Sequence, residues 1–264
     1  MPVIFYSTVD QASENIALAL KQNHGFEEKG NTDLGEKQFA VWACGQTQLV
    51  ELHSPLPEAD FLKDFFKSDL FVFASRHQSV SGAPCATVHA PGNWAGETKY
   101  GGNANELQLT SAKALQCFYD LLKANPLPVF REASHHGPTC LKTPSVFVEL
   151  GSSEKEWSDY SMAEPIAEAI VEGCRSFSSK NAKAALGFGG NHYLAGFENL
   201  PFALSHVASK YVLDFVDAAM VKQAVEKTAE PVEKAFVDWT GCSKEQREML
   251  VASFEKTGLS WEKA

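Results

Sequence analysis

No apolar run in these 264 residues approaches the length, about 18, that a helical membrane span requires. The opening MPVIFYSTVDQASENIALAL has neither the basic start nor the small-residue cleavage site of a secretory leader. The six cysteines (Cys44, Cys85, Cys117, Cys140, Cys174 and Cys242) include no CxxC pair. Scattered thiols of this kind fit a reducing compartment, where cysteine serves as a small buried hydrophobe. These absences predict a soluble, cytoplasmic chain with no membrane partner. Positive charge is also scarce: 23 Lys and Arg face 33 Asp and Glu, for a net charge of −10. That balance argues against DNA as a partner, because binding along a phosphate backbone draws on many cationic contacts. A local basic pocket for one nucleic-acid end remains compatible with it, since net charge describes only the far field.

What is present is ordinary for a globular protein: 44% hydrophobic and 21% charged residues. A chain of this length buries its core without help from disulfides or metals. No linker, repeat or low-complexity stretch divides it, which predicts a single α/β domain over 1–264. Strand patterns at 2–6, 39–43, 49–52, 70–74, 85–88, 129–133, 145–150 and 184–188 alternate with helical ones. The helical stretches are 11–20, 106–124, 161–177, 202–210 and 218–228, with a mixed-charge helix after Ser243 and a short turn at 60–66. Asp10 is the expected N-cap of the first helix, and Gly45 the turn of a hairpin. Alternation predicts a mostly parallel central sheet with helices on both faces, in which ligands bind at the carboxyl ends of strands.

That rule gathers the histidines. His77 follows LFVFASR, His89 ends ATVH, His135 and His136 follow VFREAS, and His192 follows ALGFGGN. Imidazole is the commonest metal ligand and the usual base near neutral pH, and both roles need polar groups converging in a cleft. His77, His89, His135, His136 and His206 are therefore the candidate metal ligands. His135, His136, His192 and the carboxylate Glu149 are the candidate catalytic groups. The adjacent pair His135-His136 reaches one site only if the chain turns there, and the expected turn is at Ser134, fixed by Gly137-Pro138. His24 and His53 read as structural. Cys140 and Ser134 are weak nucleophile candidates, because nothing around them lowers a pKa and no GxSxG elbow is present.

Two glycine-rich stretches add candidates for the substrate. In PGNWAGETKYGGNANEL (91–107), Lys99, Tyr100, Gly101 and Gly102 suit a loop that cradles a phosphate, although no Walker A or dinucleotide spacing is met. In GFGGNHY (187–193) the glycines allow close backbone approach before Asn191, His192 and Tyr193. Arg76 and Lys210 complete the candidate contacts to phosphate or ribose.

Five of these segments resemble, in order, a known family. SRHQSVSGAPCATVHAPGN (75–93), GETKYGGNANEL (96–107), ASHHGPTCLKTPSVFVELGSSEKEW (133–157), GFGGNHY (187–193) and SHVASKY (205–211) are similar to the archaeal and plant type of D-aminoacyl-tRNA deacylase. The likeness extends to VDWTG at 237–241. LAGF after Tyr193 departs from it, lacking the proline of the family pattern. The resemblance implies an α/β fold shared with peptidyl-tRNA hydrolases and nucleoside phosphorylases, and a zinc cofactor. It also implies hydrolysis of the ester between a D-amino acid and the 3′ end of tRNA, the partner being the acceptor end and the protein a monomer or small homo-oligomer. The residues themselves leave open a metal-activated or a histidine-activated water. They also leave open a phosphorylase-like enzyme on the same fold, or a non-catalytic binder of tRNA ends or metal.

Overall fold

Val3–Ser7 and Ser145–Ser152 are buried at every position, as strands covered on both faces must be. They lie inside the larger of two main sheets in a computed structural model that describes residues 1–34 and 37–264. The strands in chain order are β1 (Val3–Ser7), β2 (Glu27–Leu34), β3 (Lys37–Cys44), β4 (Thr47–Leu52), β5 (Phe71–Gln78), β6 (Cys85–His89) and β7 (Gly92–Asn93). They continue with β8 (Glu106–Leu107), β9 (Val129–Arg131), β10 (Ser145–Ser152), β11 (Ala184–Phe188), β12 (Ala203–Ala208), β13 (Val232–Val237) and β14 (Trp261–Lys263). The helices are α1 (Gln11–Asn23), α2 (Ala112–Leu122), α3 (Glu154–Trp157), α4 (Tyr160–Ser176), α5 (Ala218–Glu226) and α6 (Lys244–Thr257). None is long and apolar enough to cross a membrane.

Eight strands pair in the order β2-β3-β4-β1-β5-β10-β6-β9. The centre of this sheet is parallel, while β2-β3, β3-β4 and β10-β6 are antiparallel. A second sheet, β12-β11-β13-β14, is parallel throughout, and β7-β8 form a short ribbon. Alternation divides the large sheet cleanly. Ile4, Val72, Val146 and Val148 meet α1, α2 and α4 on one face. Phe5, Phe71, Phe73 and Phe147 point to the other, which carries a 3-10 segment, Leu56–Asp64. The long helices therefore cover one face of this sheet and not both. α5 and α6 pack on the second sheet.

Asp10 caps α1 as the sequence predicts, accepting from Ser13 N at 3.1 Å, and the same carboxylate accepts from Arg76 N at 3.0 Å. One side chain thus seats the helix and fixes β5 beside it. The helix expected over 202–210 is instead β12. Its apolar residues at 203, 204, 207 and 208 imitate a helical stripe, but every residue of Ala203–Ala208 is buried and the alternation that marks a half-exposed strand is lost. The helix expected from Glu106 begins at Ala112, capped by Ser111 at 3.1 Å from Ala114 N, with β8 preceding it.

A candidate active site between the two sheets

The aromatic face of the large sheet becomes polar toward the ends of its central strands. On β5, Phe71 and Phe73 give way to His77; on β10, Phe147 gives way to Glu149. Register then assembles the cluster: Glu149 lies opposite Thr87 of β6 and Ser75 of β5, and His89 lies opposite Phe147. Because β6 runs antiparallel to β10, His89 comes from the opposite direction. The site consequently lies on the face of the sheet, and not along a shared carboxyl edge. Glu132 follows β9, with its N–H on Val88 O at 3.1 Å, which aligns it with His89. His192 arrives from the loop after β11, tied by Ala133 N to His192 O at 2.9 Å.

His135 and His136 do share the site, with ring centroids 4.4 Å apart. The turn that allows it is at His136, whose φ is +47°, and not at Ser134. Gly92 N holds the strained carbonyl at 2.6 Å. The His135 ring lies 4.1 Å from that of His89 and 4.7 Å from that of His192.

Three of these rings are fixed in the same manner. Nδ1 of His89, His135 and His136 meets the backbone carbonyl of Ala90, Ala133 and Gly137 at 3.2, 2.9 and 2.7 Å. A carbonyl only accepts, so each Nδ1 carries the hydrogen. His135 and His136, held neutral, present an Nε2 lone pair. Burial of His89 is outweighed by Glu149, which raises its pKa, so its Nε2 offers a lone pair only once that second proton is given up. Ligand atoms of His89, His135 and His136 fall within 4.8 Å of one another, as do those of Glu132, His135 and His192, and of His77, Glu132 and Glu149.

Charge follows from the same packing. Burial opposes charge on His77, yet the carboxylates of Glu132 at 3.3 Å and Glu149 at 3.7 Å outweigh it and push its pKa up to about 12. His77 is thus a cation between two anions, and Glu149 is in turn held well below the ordinary carboxylate range by His77 and His89 despite its burial. Glu149 also accepts from Thr87 Oγ1 at 3.2 Å. Burial and the neighbouring His89 keep His135 neutral and lower His136 to about 4.

The buried polar atoms test whether this set fits a metal. His89 Nε2 and both oxygens of Glu132 are buried without a hydrogen-bond partner. The nearest ring nitrogens to Glu132 are those of His192 at 2.8 Å and His77 at 3.3 Å, charge contacts and not hydrogen bonds. Imidazole nitrogens and carboxylates gathered in this way are the donor set of zinc and related divalent ions.

Other predicted residues lie elsewhere. His206 is fully buried and outside the cluster, its nitrogens 3.2 Å from Ser134 Oγ and from Lys227 O. Arg76 alternates to the helical face, where its guanidinium lies over the Trp157 ring at 5.3 Å. Lys99 and Tyr100 are exposed. Gly101 and Gly102 brace the histidine turn: Tyr100 O accepts from Gly137 N at 3.1 Å, and a Cβ on Gly137 would lie 2.3 Å from Gly102 N. Asn191 is exposed, accepting from Tyr211, while Lys210 N reaches back to Gly190 O at 2.9 Å. Neither Cys140 nor Ser134 is placed as a nucleophile: Cys140 has a pKa raised by burial and Asp60, and Ser134, although paired with His206 Nδ1, is buried with it outside the cluster. The sequence reading missed Glu132, at the centre of two of the three ligand groups. Its position directly before the histidine block, one alternation from a strand end, was the available signal.

Residues 64–262 match the family model described as D-aminoacyl-tRNA deacylase. The D-aminoacyl-tRNA deacylase of Thermococcus kodakarensis is 34% identical over 99% of both chains. That of Methanocaldococcus jannaschii is 34% identical over 88% of this chain and 96% of its own. A crystal structure of a conserved protein of unknown function superposes with a TM-score of 0.86 at 28% identity, covering all of this chain and 95% of the other. On the strength of that match and of relatives aligned end to end, the chain belongs to the D-aminoacyl-tRNA deacylase family.

Proposed function

We propose that the protein hydrolyses the ester between a D-aminoacyl group and the 3′ end of tRNA at the His/Glu cluster. The observation that carries the reading is the set of three carbonyl-tied histidines whose ligand atoms lie within 4.8 Å of one another, one of them, His135, also grouped with Glu132 and His192. An aminoacyl ester is already activated, so the catalyst needs a placed water, a proton acceptor and stabilisation of the oxyanion. His89, His135 and His136 would hold a zinc ion through Nε2, with Glu132 and Glu149 supplying negative charge. When bound, such an ion supplies Lewis acidity toward a carbonyl oxygen and makes water a stronger acid.

The remaining work falls to the chain. His192 is the most accessible ring of the cluster, with 42% of its side chain exposed, and Glu132 lies behind it at 2.8 Å. That places a histidine where water and substrate reach it, with a buried carboxylate to orient the ring and balance its charge as it takes the water's proton. His77, locked between Glu132 and Glu149, keeps both carboxylates in position.

The test is to incubate the purified protein with D-tyrosyl-tRNA and L-tyrosyl-tRNA, with and without chelator. The expected result is release of the D-amino acid alone, abolished by chelator and restored by zinc. Absence of D-selective release under every metal condition would sink the reading; phosphate-dependent cleavage of nucleosides would replace it with a phosphorylase. D-selective release that survives metal removal would retain the deacylase and discard the zinc.

A further inference from the structure

Beside the cluster, β9 presents an aromatic side chain that the proposed chemistry leaves unused. Phe130 is 38% exposed. Alternation puts it on the same side of the strand as Glu132. Its ring centroid is 4.9 Å from that of Tyr193, and the two rings are inclined by 34°. Tyr193 is itself anchored twice: its hydroxyl lies 2.8 Å from His77 Nε2, and its backbone bridges Glu132. On its far side stands His192, at 5.7 Å between centroids. Phe130, Tyr193 and His192 thus form a ledge of neighbouring rings beside the cluster, tied to it through His77 and Glu132.

We infer that this ledge is the subsite for the terminal base of the tRNA, which stacks on Phe130 against Tyr193. The inference rests on the deacylase reading and adds to it the place of the nucleoside. The scissile ester is carried by the ribose of the last nucleotide, so the base of that nucleotide is held within one sugar of the reacting carbon. Proteins that bind unpaired nucleotides seat them on aromatic rings, because every base offers a π-face. The hydrogen bond that the His77 Nε2–H donates to the Tyr193 hydroxyl orients the ledge before the substrate arrives, reducing the entropy lost on binding.

The test measures binding, so it is separable from turnover. Two acceptor-stem RNA hairpins are compared, one ending in adenosine and one with an abasic terminal sugar. The wild-type protein is expected to bind the first about tenfold more tightly. Phe130→Ala and Phe130→Leu should reduce that ratio to near one, and Phe130→Trp should restore it. The leucine variant keeps apolar bulk at a partly exposed position, so a lost ratio there cannot be assigned to unfolding. Equal binding of the two hairpins by the wild type overturns the inference, as does a ratio that survives in Phe130→Leu. If Phe130→Ala weakens binding of D-tyrosine amide and leaves the adenosine ratio intact, the ledge holds the amino-acid side chain and the inference is wrong. Failure of the deacylase reading would appear separately, as absent hydrolysis by the wild type.

Discussion

Glu132 concentrates the residue-scale chemistry. It lies 3.3 Å from His77, 2.8 Å from His192, and is buried with both oxygens unpartnered. Replacing it by glutamine keeps the shape but removes the charge that orients His192 and balances His77. Glu132→Gln is expected to lower kcat/KM on the order of a hundredfold and to reduce the zinc retained after dialysis. Steady-state kinetics with elemental analysis checks both, and an unchanged kcat/KM would remove Glu132 from the mechanism. The sequence concealed this residue for a physical reason. A glutamate after Arg131 reads as a solvated charge pair, whereas the structure turns Arg131 away to Phe197 O at 2.9 Å and the carboxylate inward.

At the scale of elements, the loop 98–103 is a brace for the histidine turn. A Cβ on Gly101 would lie 2.1 Å from the carbonyl oxygen of Pro57, and its φ is +77°. Gly101→Ala should therefore cost roughly 3 kcal/mol in urea unfolding and depress activity. Gly45→Ala, also at positive φ but facing open space, should cost about 1 kcal/mol and leave activity alone. Equal costs would refute the bracing role. The central strands and the first helix were legible because their signals are local: Asp10 and the apolar run of β5 each declare themselves. β2 was not, since Glu27–Leu34 is a charged edge strand, and edges carry charge to prevent pairing with other chains. The histidines at strand ends pointed to the cluster, His206 excepted, but the antiparallel entry of β6 and the second sheet depend on long-range pairing that no local pattern records.

For the whole molecule, pH separates two groups of buried imidazoles. His206, away from the cluster, is lowered to about 4 by burial. Between that value and the ordinary 6.5 the unfolded chain binds a proton that the folded chain refuses, so stability falls as pH falls through this window. The loss attributable to His206 is on the order of 3 kcal/mol, independent of metal. His77 has the opposite sign: its raised pKa gives stability that is fully present below 6.5 and is lost as pH rises toward about 12. Urea midpoints measured from pH 4 to 7 should rise with pH in the wild type and rise less steeply in His206→Gln. A parallel slope in the variant would show that the histidine is not the group responsible.

The two-sheet construction has a consequence for synthesis on the ribosome. His77, His89, Glu132, His135, His136 and Glu149 all precede residue 150, and the large sheet that aligns them is complete with β10. His192 belongs to a sheet whose last strand, β14, ends at Lys263. A chain still emerging can gather the buried part of the cluster, but it lacks the solvent-facing ring until the second sheet closes. The order of residues along the polypeptide therefore makes the solvent-facing ring the last part of the cluster to be placed.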